Sequence, residues 1–110
     1  MYVLVFYAPS EHCEVVKKAL FDAGAGKIGE YQECSWQVEG QGQFRPLEAS
    51  HPFLGKAGQL EKVPEMRVEM VFEEDKAEQV IKALLEAHPY EEPAYHLLKA
   101  VTIERTTTTC

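Results

Sequence analysis

At 110 residues, 45% apolar and 26% charged, the chain has the size and balance of one globular domain with its own core. A net charge of −7 without a clustered Lys/Arg face argues against nucleic acid as a partner. No apolar run approaches the ~20 residues of a membrane span, and three cysteines without CxxC spacing argue against a disulfide framework or zinc knuckle.

The start, Met1-Tyr2-Val3-Leu4-Val5-Phe6-Tyr7, has no basic n-region and reads as a strand over 2–8 rather than a leader, so the expected location is the cytoplasm. Pro9 ends it, and Ser10 is placed to cap a helix with Glu11 and Glu14 in its first turn, the sign the helix dipole favours. Val15, Val16, Ala19, Leu20 and Ala23 recur at helical spacing, and Gly24 and Gly26 end the run. Gly24-x-Gly26-x-x-Gly29 spells a dinucleotide fingerprint, but it follows a helix where the fingerprint must open one; it reads as a helix stop.

Tyr31 to Val38 has a strand pattern, and Glu39-Gly40-Gln41-Gly42 reads as a hairpin turn into a short run through Phe44. Residues 48–64 hold two prolines and two glycines without period and are expected to be an irregular connection. In 65–73, Met66, Val68, Met70 and Phe72 alternate with charged residues, the pattern of a strand with one buried face. Asp75 and Glu78 make a capping-box-like start for a helix bearing Ala77, Val80, Ile81, Leu84 and Leu85, which Pro89 stops. A last strand is expected over 94–101. The domain should cover 1–103, with a polar tail over 104–110.

This order predicts an α+β, ferredoxin-like split βαβ sandwich (βαββαβ with an extra hairpin), with two helices on one face of an antiparallel sheet. Its first and third strands are central in that plan. Strand 2–8 is apolar on both faces, so something other than the helices should cover the second: another subunit, or the 48–64 connection folded back.

The residues suited to chemistry concentrate in His88-Pro89-Tyr90-Glu91-Glu92-Pro93-Ala94-Tyr95-His96. His88, Glu91 and His96 form an N/O set of the kind that binds zinc or copper, if a tight turn brings His96 back. Glu91 and Glu92, adjacent in an extended segment, should face apart and so not act as one acid/base pair. Cys13 and Cys34 have acidic neighbours, Glu11, Glu14 and Glu33, which oppose a reactive thiolate. Arg45, near Trp36 and Phe44, suits either an anion or a carboxylate across a subunit interface.

Three segments in order then show a likeness. Ala23-Gly24-Ala25-Gly26-Lys27-Ile28-Gly29-x-Tyr31, Cys34-Ser35-Trp36 through Gly42-Gln43-Phe44-Arg45-Pro46, and His88 to Tyr95 resemble the YqfO family. The resemblance is to the domain inserted in the longer NIF-three-like proteins and to its small stand-alone relatives. It implies a fold akin to the CutA and PII proteins, which associate as trimers through their sheets. The dinuclear metal site of the long relatives lies in two flanking halves without counterpart in these 110 residues, so its ligands and any hydrolase-like activity do not transfer. Metal binding by CutA and nucleotide binding by PII are fold-level analogies.

The sequence thus predicts a small homo-oligomer, trimeric by the resemblance, acting as a binding or regulatory module without a catalytic set or cofactor. Its ligand site is expected near a subunit edge at Trp36, Arg45, His88, Tyr90, Glu91 and Tyr95. The alternative is a divalent-metal protein similar to CutA, using His88, Glu91 and His96.

Overall fold

The alternating run of residues 65–73 can bury only one face, and the apolar stripe of residues 77–87 needs a sheet to lie on; the fold satisfies both against one core. A computed structural model describes residues 1–103; the expected tail at 104–110 lies outside the described residues. In chain order the elements are β1 (Tyr2–Pro9), α1 (Cys13–Asp22), β2 (Trp36–Phe44), β3 (Glu61–Phe72), α2 (Ala77–Ala87) and β4 (Tyr95–Lys99), with a 3₁₀ turn, Glu74–Lys76, leading into α2. The strands form one antiparallel sheet in the order β2-β3-β1-β4, so β1 and β3 are central as expected.

Leu4, Phe6 and Ala8 of β1 and Val68, Met70 and Phe72 of β3 meet Cys13, Val16 and Leu20 of α1 and Val80 and Leu84 of α2. Each fully buried aliphatic or Phe side chain here contributes about 1.5–3 kcal/mol relative to exposure. The helices turn slightly from their expected faces: Val15 is 63% and Leu85 49% exposed, while Cys13, which the stripe omitted, is buried.

Neither helix start uses the expected side-chain cap. His12 occupies the position before α1, and the 3₁₀ turn precedes α2; no side-chain cap bond is found at either among the described residues. The helix stop after α1 is as expected. Gly26 has φ +82, and its N–H donates to Val71 O at 2.8 Å, tying the turn to β3. A Cβ there would stand 2.8 Å from the Phe21 ring. Gly26→Ala should therefore lose about 1–3 kcal/mol of stability, seen as a lower urea midpoint with an unchanged m-value.

Several boundaries differ from the sequence pattern. The strand expected from Tyr31 begins only at Trp36, because Glu33 takes φ 58 and the Cys34 N–H is drawn to Gly26 O at 2.8 Å. Gly40 and Gly42 lie inside β2, paired with Glu65 and Val63, so the expected turn at 39–42 is continuous strand; the hairpin is β2 with β3, joined by residues 45–60. β3 starts at Glu61 and carries Pro64 within it. That is possible because β1 ends opposite Glu65, leaving Pro64 on an edge where no N–H is required.

Residues paired in register share a face. The face away from the helices carries Val3, Val5 and Tyr7, flanked by Val71 and Leu98, with Val38 and Trp36 further out. Its polar centre is an Arg67–Glu69 ion pair at 3.4 Å. Trp36 is 59% and Leu98 55% exposed. The 45–60 connection reaches this face at one end, where it shares a cavity with Tyr7 and Glu65.

Candidate functional site

The helix exit organises the site. Pro89 forces His88 out of helical geometry, to φ −72 and ψ 134, while the His88 N–H still closes the last turn on Leu84 O. The His88 ring then turns inward and is 5% exposed. Its Nδ1 accepts the Tyr90 N–H at 3.1 Å, which leaves Nε2 to carry the proton and donate to Tyr7 O at 2.6 Å. The imidazole thus bridges the end of α2, the following turn and β1. Burial pushes its pKa below the ordinary value, the Tyr7 bond opposes that, and the charge of His12 adds to the lowering.

Beyond His88 the chain bends through residues 89–92 and meets the 45–60 connection across a cavity of about 250 Å³. Tyr90 is its centre, with ring centroids 5.1 Å from His88, 5.9 Å from Phe44 and 6.4 Å from Phe53. Phe53 in turn stacks edge-on against His12 at 5.2 Å. The Glu91 carboxylate accepts the His51 N–H at 2.9 Å and so pins the connection in place. Glu65 reaches in from β3; it lies across Gly42, where any Cβ would overlap its carboxyl group. That approach explains why a glycine interrupts β2. Burial raises the Glu65 pKa, and burial with the nearby Glu65 charge raises Tyr90 to about 12. The Tyr90 hydroxyl is buried without a hydrogen-bond partner among the described residues.

The expected site residues separate on this frame. Tyr90 and Glu91 line the cavity, and His88 supports it from beneath. Tyr95 pairs with Phe6 and packs on the core under the helices. Trp36 is at the other end of β2, beside Glu69, and Arg45 is exposed just past Phe44 without lining the cavity. The metal set does not converge: His88 has both ring nitrogens engaged, and His96 pairs with Val5 on the open sheet face. Among the described residues no three His, Cys, Asp or Glu side chains form a metal-binding group. Glu91 and Glu92 are both among the residues lining the cavity, in a segment that is bent where the sequence suggested an extended one. Glu65 and Phe53 were not legible as site residues: one is a charged position in an alternating strand, the other an apolar residue in a loop.

The Cys13 thiol is quiet. Cys13 is buried, and its pKa is raised by burial and then by Glu14, with Lys17 opposing. No described helix is long and apolar enough to cross a membrane.

Solved structures fix the class. CutA1 from Pyrococcus horikoshii matches with a TM-score of 0.67 at 20% identity, over 94% of this chain and 87% of that one. The protein is a CutA-like, ferredoxin-type α+β domain. No family model matches the chain, but individual relatives do. It is 48% identical over 94 residues, 86% of its length, to the GTP cyclohydrolase 1 type 2 homolog of Bacillus subtilis. It is 45% identical to a Bacillus cereus protein related to NIF3, with a TM-score of 0.74 over 87% of this chain and 24% of that one. Over nearly its whole length the chain thus resembles one domain-sized part of the NIF3-related YqfO-type proteins, a counterpart of their insert-type domain. It spans about a quarter of the length of the curated relatives it matches (25% of the Bacillus subtilis protein).

Proposed function

We propose that the protein is a self-associating binding module: a cytoplasmic homotrimer, built through the open sheet face, that holds a small ligand in the cavity around Tyr90. The cavity carries this reading. It joins aromatic walls to a few polar residues, Glu65, Glu91 and Glu92 among them. Concave, largely apolar sites with few placed polar groups are the usual form of ligand pockets. The apolar sheet face supports self-association, since patches of this kind mark interaction surfaces and symmetric homo-oligomers are the common way to bury them. The reading assigns no reaction; the cyclohydrolase in the relatives' name refers to proteins of which this chain matches about a quarter. A divalent-metal role would need His88 to release one of two buried hydrogen bonds.

A thermal-shift survey across metal ions, nucleotides, small anions and small cations tests it. At least one class should raise the melting temperature of the wild type, and Ala94→Phe, which places a ring in the cavity, should abolish that rise. No rise from any class, or one that survives Ala94→Phe, would remove the ligand site.

A further inference from the structure

The cavity's chemistry is one-sided. Three carboxylates line it, Glu65, Glu91 and Glu92, and no Lys, Arg or His is among the lining residues. Arg67, 6.0 Å from the Tyr7 ring, is paired with Glu69 at 3.4 Å, and Arg45 is exposed beyond Phe44 without lining the cavity. A phosphate or carboxylate ligand would meet acidic residues and no cationic lining residue here, in a chain of net charge −7. A compact divalent ion is also poorly matched, because the three carboxylates do not gather into a ligating group. They share the lining with the rings of Phe44, Phe53 and Tyr90, whose centroids are 5.9 and 6.4 Å apart about Tyr90. Ring faces carry negative quadrupole density, so rings interleaved with acids favour a positive charge spread over several atoms.

Resting on the reading of this cavity as a ligand site, we infer that its ligand is a small organic cation, an ammonium or guanidinium group. The rings take the diffuse charge, and the Glu65 carboxylate supplies the counter-charge. A cation beside Glu65 also offsets the burial that raises the pKa of this carboxyl. At about 250 Å³ the space is below the ~300–1,000 Å³ of drug-sized sites. It suits a single head group.

The test is a titration of the intact chain, followed through its backbone amide resonances, with choline, methylguanidinium, inorganic phosphate and 3,3-dimethyl-1-butanol, the uncharged isostere of choline. At least one of the two cations should shift the amides of Phe44, Glu65 and Tyr90 saturably, and the isostere should bind about tenfold more weakly than choline if choline is that cation. Glu65→Gln and Phe53→Ala, judged folded by dispersed spectra, should each weaken the binding cation by about tenfold. Phosphate or the isostere binding as well as either cation, or both variants leaving cation affinity unchanged, would overturn the cation assignment while leaving the cavity a ligand site. Silence from every probe at these amides would overturn the inference, and a failed thermal-shift survey would then take the ligand site with it.

Discussion

Replacing His88 by alanine should cost about 2–4 kcal/mol of stability, a large share of what a domain of this size has. The loss is not mainly one of packing. It leaves the Tyr7 carbonyl and the Tyr90 N–H without the ring that satisfied both, at 2.6 and 3.1 Å, in a site where the ring was 5% exposed. Buried groups orphaned in this way cost about 1–3 kcal/mol each. Urea denaturation measures the effect, and a fall below about 1 kcal/mol would mean that the bridge is dispensable.

The same residue sets a pH dependence with a definite sign. The folded His88 pKa lies below the ordinary 6.5, so on acidification the unfolded chain takes up a proton before the folded one does. Stability from this group is fully present above the unfolded pKa. It declines as pH falls through the window between 6.5 and the lowered folded value, and is lost below that value. Comparing urea midpoints at about pH 7.5 and about pH 5.5 should show a decline in wild type that is smaller in His88→Gln. An equal decline in both would assign the slope to other groups.

Leu98→Glu should convert the proposed trimer to monomers. In the isolated chain Leu98 is 55% exposed beside Val3 on the open face, so the substitution should change monomer stability by no more than about 0.5 kcal/mol. In a trimer built through that face the new carboxylate is buried without a cation, a cost of several kcal/mol per site. Light scattering should then give about three times 12.4 kDa for wild type and 12.4 kDa for the variant, with matching circular dichroism. A wild-type mass of 12.4 kDa at micromolar concentration would dispose of the trimer.

Some of the fold was legible because local chemistry and global packing agreed. The alternation of Met66, Val68, Met70 and Phe72 specifies one buried face whatever lies opposite, and their actual neighbours are the core. His88-Pro89 had to leave helical geometry for steric reasons internal to the dipeptide, and it does. The two-sided apolar β1 announced a central strand, and it is paired on both sides. Where local signals competed, they lost. Gly40 and Gly42 carry the composition of a turn, yet pairing with β3 along the whole of β2 outweighs it. Ser10 and Asp75 are good caps in isolation, but the chain reaches its helices through other turns.

Within the stretch 88–96, the sequence by itself determined that the helix stops, that a strand follows, and that polar and aromatic groups crowd the junction. Only the tertiary structure decided what they do. His88 became a buried strut because the Tyr7 carbonyl, 81 positions away in the chain, needed a donor. Glu91 and Glu92 came to line one cavity in a segment that bends, and Glu65 joined them because Gly42 leaves it room. Periodicity and proline sterics are properties of neighbours in the chain and can be read along it. A cavity is made by groups that meet only when the sheet is formed, and its charge and shape are properties of that meeting.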